Sequence, residues 1–170
     1  SLVVMNRHTG RVIWRVDAEI GFLHNGIAVG NGRIHVLDTW PPDVEETLSR
    51  RGRTLPRTGR LLVLDIATGK TVWEDRTDAF GSFLALSEER DILIQSMRPS
   101  RDMMAGEAGK RMRAVRGVDG APLWDGTVEY RSFPIVHTDR IFTESGALDL
   151  LTGAPVMRKD PLTGAETVWS

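Results

Sequence analysis

The chain has 170 residues, a formal net charge of -1 and a pI near 6.4, so it offers no global basic field for nucleic acid or an anionic membrane. Hydrophobic residues make up 41% and charged residues 26%, a globular composition; cysteine is absent, which removes disulfides, zinc–thiolate centres and cysteine nucleophiles. No apolar run approaches the roughly 18 residues that span a bilayer, and the opening Leu2-Val3-Val4-Met5 reads as a strand, the start of a chain already inside a fold rather than a signal peptide.

In chain order, the first unit offers strands at 2–5 and 11–16, joined by Asn6-Arg7-His8-Thr9-Gly10. A second unit offers four strands, at 26–29, 33–38, 60–65 and 71–75, and a third offers 82–86, 91–97, 113–118 and 122–125. A fourth follows at 133–137, 140–143, 147–150 and 155–158. Lettered A to D, the strands leave one turn signature between C and D. Asn6-Arg7-His8-Thr9-Gly10-Arg11-Val12-Ile13-Trp14 returns as Asp65-Ile66-Ala67-Thr68-Gly69-Lys70-Thr71-Val72-Trp73, then as Val118-Asp119-Gly120-Ala121-Pro122-Leu123-Trp124. It returns again as Asp149-Leu150-Leu151-Thr152-Gly153-Ala154-Pro155-Val156-Met157, with methionine in place of tryptophan. Gly10, Gly69, Gly120 and Gly153 supply the positive φ of a tight hairpin turn, and the residue four places on lies at a fixed position of the next strand.

A strand followed by Asp-x-x-Thr-Gly-x-x-x-Trp resembles the blade signature of PQQ-like, quinoprotein-type β-propellers, and the resemblance covers nearly the whole chain. It implies an all-β fold of four-stranded antiparallel blades, about three and a half of them, from a ring that usually has about eight. Such a partial ring needs its remaining blades or a second copy to close. The resemblance divides the chain into a partial propeller at 1–158 and an extra hairpin at 159–170, where Leu162-Thr163-Gly164 repeats the turn cue too soon for another blade. It also implies that Trp14, Trp73 and Trp124, with Met157 in the fourth unit, dock neighbouring blades.

Two functions are compatible with the family. The first is a non-catalytic binding or scaffold propeller similar to the outer-membrane assembly lipoproteins, placed in the periplasm or otherwise outside the cytoplasm. The second is part of a quinoprotein oxidoreductase, whose relatives hold PQQ beside calcium with a catalytic aspartate and often a vicinal cysteine pair. That pair is missing here, no cofactor ligand is identified, and PQQ belongs only to a complete ring, so whether the full protein is an enzyme stays open.

The residues themselves yield no catalytic or metal assignment. Asp65, Asp119 and Asp149 read as caps of the turn backbone. His8, His24, His35 and His137 lack the short spacings that bring two imidazoles to one metal, and no serine sits in a glycine-flanked elbow. The glycines at 26, 30 and 32 belong to a strand-turn-strand without a following helix to receive a phosphate. The long B-to-C loops at 39–59 and 98–112 are more informative, because a propeller presents such loops on one face. They carry a basic excess: Arg50, Arg51, Arg53, Arg57, Arg98, Arg101, Lys110 and Arg111 form a candidate binding face for a protein or a small anionic ligand. The alternative is a pair of solvated loops, with Pro41-Pro42-Asp43, Leu48 and Gly52 framing one short helix and Met103 and Met104 packing it or forming a contact surface.

Overall fold

The computed structural model describes residues 1–54, 58–97 and 111–168, and its contacts divide the chain into two units, Ser1–Leu84 and Ala85–Ser170. In the first, β1 (Leu2–Met5) pairs antiparallel with β2 (Val12–Val16). β3 (Phe22–Gly30), β4 (Arg33–Asp38), β5 (Arg60–Asp65) and β6 (Thr71–Asp75) then form a four-stranded meander, with helix α1 (Pro42–Arg50) between β4 and β5. A second meander comprises β7 (Phe83–Ser87), which straddles the division, with β8 (Ile92–Ser96), β9 (Arg111–Arg116) and β10 (Pro122–Thr127). In the second unit, β11 (Ile135–His137), β12 (Arg140–Thr143) and β13 (Gly146–Asp149) form a three-stranded sheet, and β14 (Met157–Lys159) pairs with β15 (Glu166–Val168).

The burial of each strand follows from its side chains. Leu61, Leu62, Val63 and Leu64 of β5, like Ile92, Leu93 and Ile94 of β8, are at most 2% exposed. Consecutive apolar residues point to opposite sheet faces, so a strand buried at every position is covered on both faces, as in a stack of sheets. In the first unit, Val36, Leu62 and Leu64 pack with Leu2, Trp14 and Val16 of the preceding hairpin. In the second, Ile92, Ile94, Met112 and Ala114 pack with Tyr130, Ile141, Leu148 and Leu150. Strands β2, β6 and β10 alternate between exposed and half-buried residues, as outer edge strands do. Each of them carries a one-residue register shift at the same repeat position, passing over Ile13, Val72 and Leu123, and the residue after the shift is the tryptophan.

The turn signature folds as one structure. Gly10, Gly69, Gly120, Gly153 and Gly164 have φ between 69° and 73°. Each donates its N–H to the carbonyl four residues back, at 2.8 to 2.9 Å. In the second unit of the repeat, Asp65 Oδ1 accepts from the Thr68 amide at 2.8 Å and the Thr68 hydroxyl at 2.6 Å, and Asp149 does the same with Thr152.

Three sequence expectations need correction. The fourth unit lacks a full outer strand in its sheet: 155–158 contributes only the Leu148–Pro155 bridge and a bond from the Val156 N–H to the Ala147 carbonyl, after which Met157 pairs with Val168. The outer-strand residues are taken by the next hairpin: Met157–Lys159 pair with Glu166–Val168 across the Gly164 turn, although β13 contains Ala147, six residues before its turn glycine, where the other copies pair their tryptophan. The third C strand ends at Arg116 rather than 118, four residues before its turn glycine as the other C strands end at Asp65 and Asp149, and Gly117 then donates to the Asp91 carbonyl at 2.6 Å as Ile66 does to that of Gly32. Asp119 consequently lies inside the turn and not at the strand end. Arg116 takes the strand-end position and pairs with Asp119 at 2.6 Å, while Asp119 accepts from the Ala121 amide where the other copies use threonine.

Candidate functional site

The long B-to-C loops depart from strand ends that are tied together by polar side chains. At the base of the first loop, Asp38 ends β4 with a fully buried side chain. Its carboxylate accepts the N–H groups of Glu19, Ile20 and Gly21 at 2.8 to 3.0 Å, in the linker that enters this sheet. Its remaining partner is Arg60 Nε at 3.0 Å, from the first residue of β5. Arg60 also reaches Glu19 at 2.6 Å and Glu74 at 3.1 Å, and Arg76 binds the same two acids at 2.7 and 2.8 Å. The hydrogen bond from Arg76, then that from Arg60, holds Glu74 below the usual carboxylate range. The carboxylates of Glu19 and Glu74 push the Arg76 guanidinium up.

The second loop has a related base. Arg111, at the start of β9, pairs with Asp125 of β10, with Nε 3.0 Å from Oδ1. Arg111 and Asp125 stand nine residues before and five after their turn glycine, as Arg60 and Glu74 do. Tyr130 accepts from the Met97 amide at 2.9 Å and donates to the Arg111 carbonyl at 2.8 Å, so one hydroxyl binds the last residue before the loop and the first after it. Burial raises the phenol's pKa.

In the second unit, Glu129, Tyr130, Arg131, Glu144 and Ser145 line an open cleft of about 370 Å³. Glu144 accepts from the Arg131 amide at 3.0 Å, and the Ser145 hydroxyl donates to the Glu129 carbonyl. Burial pushes Glu144 up, but hydrogen bonds from Ser132 and the Arg131 amide outweigh it and leave the group below its ordinary value. Asp38 and Glu144 thus play related parts in two sheets: each is an acid at or just past a B-strand end that accepts hydrogen bonds from the linker entering its sheet.

Of the arginines expected on the binding face, Arg50 closes α1, and Arg51 and Arg53 follow it, all exposed. Pro42 opens the helix, and Gly52 at φ 64° ends it, with the Arg53 N–H bound to the Leu48 carbonyl. Arg111 belongs to the strand base and its ion pair rather than to a loop. Arg57, Arg98, Arg101, Lys110, Met103 and Met104 lie outside the described residues. His35 is buried in β4, its ring edge-on to Trp73 with centroids 6.4 Å apart. His24 lies on β3, His137 on β11 and His8 in the turn between β1 and β2. Among the described residues, no three His, Asp or Glu side chains gather as a metal would need, and no helix is long and apolar enough to cross a membrane.

At the outer edge, two tryptophans repeat one arrangement. The Trp14 indole N–H donates to the Ile66 carbonyl at 2.9 Å, and a Cβ on Gly69 would fall 2.7 Å from the indole. The Trp124 indole N–H donates to the Leu150 carbonyl at 2.9 Å, with Gly153 in the same relation to its ring. Each indole therefore lies on the turn glycine of the following repeat and bonds the carbonyl three residues before it.

A family profile described as outer membrane protein assembly factor BamB matches residues 1–163. Among solved structures, the chain is similar to BamB from Moraxella catarrhalis, at 18% identity and TM-score 0.57, over 86% of this chain and 39% of that one. It is also similar to a europium-containing methanol dehydrogenase, at 13% identity and TM-score 0.51, over 85% of this chain and 26% of that one. The chain thus spans less than half the length of either structure. No curated protein sequence matches it significantly. The likenesses carry the fold, successive blades of a β-propeller, and by the profile match the chain belongs to the PQQ-like propeller family described as outer membrane protein assembly factor BamB.

Proposed function

We propose that the chain is a non-catalytic binding or scaffold segment of a propeller, whose B-to-C face contacts a protein or a small anionic ligand. What supports this reading is the way the polar groups at the loop bases are used. Asp38, Arg60, Glu74, Arg76, Glu19 and Tyr130 bind one another and the backbone, which suits them to hold loops in place, while Arg50, Arg51 and Arg53 stand exposed beyond. In the same reading, Trp14, Trp73, Trp124 and Met157 serve blade docking, and the protein works outside the cytoplasm, as the family's description as an outer membrane protein assembly factor suggests. Fractionation of cells producing the tagged full-length protein tests the location.

For the face itself, calorimetry with a poly-glutamate peptide is the test. Binding is expected to weaken about tenfold in the triple variant Arg50→Glu, Arg51→Glu, Arg53→Glu and to fade with added salt. No binding, or binding indifferent to the three substitutions, contradicts the proposal. A second reading, part of a PQQ-dependent oxidoreductase, draws on the likeness to methanol dehydrogenase. Stoichiometric binding of PQQ with calcium by the full-length protein favours that alternative.

A further inference from the structure

Within a short stretch of the second unit the turn motif occurs around both Gly153 and Gly164, and the two copies share one strand. Counted from Gly153, Met157–Lys159 are an outer strand, with Met157 four residues past the glycine, where Trp14, Trp73 and Trp124 stand in their own copies. Counted from Gly164, the same residues precede the turn and pair with Glu166–Val168, which is the pairing in the structure. That pairing is slight: it joins two three-residue strands whose residues are all exposed, and a two-stranded sheet by itself is marginal in water.

A second partner is half prepared. Pro155 bridges to Leu148 and the Val156 N–H donates to the Ala147 carbonyl at 2.8 Å, so the chain leaves the Gly153 turn already along β13. Continued in that register, Met157 falls opposite Ala147, as Trp124 lies opposite Ala114 and Trp73 opposite Val63. A largely apolar cavity of about 290 Å³ runs along this edge, its lining including Val128, Ala147, Leu148, Pro155 and Val168. The charges agree with the same register. Arg60 pairs with Glu74 and Arg111 with Asp125, in each case nine residues before and five after the turn glycine. At those two offsets from Gly153 stand Glu144 and Arg158, both exposed, with the signs exchanged, and Glu144 lines the open cleft of about 370 Å³.

We propose that Met157–Lys159 is a strap with two seats, and that its exchange between them opens and closes the Glu144 cleft. In the first seat it pairs with β15 and the cleft stands open. In the second it runs on along β13, Met157 enters the apolar cavity beside Ala147, and the Arg158 guanidinium binds the Glu144 carboxylate across the cleft. An unbranched thioether adapts to either seat, whereas the bulk and the N–H of a tryptophan commit it to one. The two seats are the two states of a switch whose populations follow their difference in free energy. The inference goes beyond the binding-face reading and does not rest on it.

Because the chain has no cysteine, engineered pairs report the two seats without background. Ala147→Cys with Met157→Cys sets two thiols opposite each other only in the second seat, and Met157→Cys with Val168→Cys does so only in the first. Each full chain is oxidised mildly under native conditions, and mass spectrometry of the intact protein follows the rate of crosslinking. Both pairs are expected to close. Adding Arg158→Glu to the 147–157 pair sets two carboxylates together and is expected to slow its closure about threefold, and adding Glu144→Arg as well restores the rate, a rescue that a misfolded variant does not produce. The 157–168 pair is not slowed by Arg158→Glu. A 147–157 pair that stays open while the 157–168 pair closes, or a 147–157 rate indifferent to Arg158→Glu, overturns the inference.

Discussion

Trp124 shows how one side chain joins two repeats: its ring covers Gly153 and its N–H satisfies the Leu150 carbonyl. Trp124→Ala removes both and is expected to cost about 3 to 5 kcal/mol, the range for emptying a large aromatic site. Trp124→Phe keeps most of the packing and loses the hydrogen bond, about 1 kcal/mol. Denaturant titration separates the two, and equal losses contradict the division. Among the glycines, Gly153→Ala meets both a disfavoured φ of 70° and the indole at 2.7 Å, whereas Gly10→Ala meets only the φ. A larger loss of midpoint for Gly153→Ala is expected, and the reverse order contradicts the contact. The turn acids add a pH dependence. The Thr68 hydroxyl and amide hold the Asp65 carboxyl below its ordinary value, and the Thr163 and Leu162 amides do so for Asp160. A depressed folded pKa means stability that is present above the unfolded value, near about 4, and is lost as pH falls through the folded one. Thermal unfolding from neutral to acid pH therefore shows a decline below about pH 4, shallower in Asp65→Asn; a variant with an unchanged acid limb speaks against the bonds.

Among the elements, the loop bases separate buried from exposed charge. The buried Asp38 carboxylate answers three amides and a guanidinium, so Asp38→Ala leaves these amides and the largely buried Arg60 side chain without their acceptor and is expected to cost about 3 to 5 kcal/mol. Arg76→Ala removes a more exposed, solvent-screened partner and is expected to cost much less. Similar losses in urea unfolding contradict this ranking. Strands at 33–38, 60–65, 71–75 and 140–143 were legible to the residue, because apolar patterning and a fixed glycine turn both mark them. The register shifts before the tryptophans were not legible, since Ile13, Val72 and Leu123 look like ordinary strand residues and only the pairing reveals that they are skipped. Nor was Asp38, whose partners Glu19 to Gly21 lie 17 to 19 residues away on a linker without pattern. The recurrence of Arg60 with Glu74 and Arg111 with Asp125 at equal offsets was the available signal for the polar bases. Met157 looked like a simple tryptophan substitute, but its strand pairs with Glu166–Val168 across the Gly164 turn rather than with β13, a choice of partner that the repeated motif does not encode.

For the molecule as a whole, each repeat is expected to derive its stability largely from the neighbour it docks on, as arrays of repeats do. Within each unit, one repeat docks on the next through an indole laid against a turn glycine. That coupling is the central claim, and a double-mutant cycle between Trp124 and Gly153 in denaturant unfolding tests it most directly. Using Trp124→Ala and Gly153→Asn, a coupling of about 1 to 3 kcal/mol is expected, because the glycine's smallness matters only while the indole covers it. Losses that simply add, to within about 0.5 kcal/mol, would contradict docking through this contact.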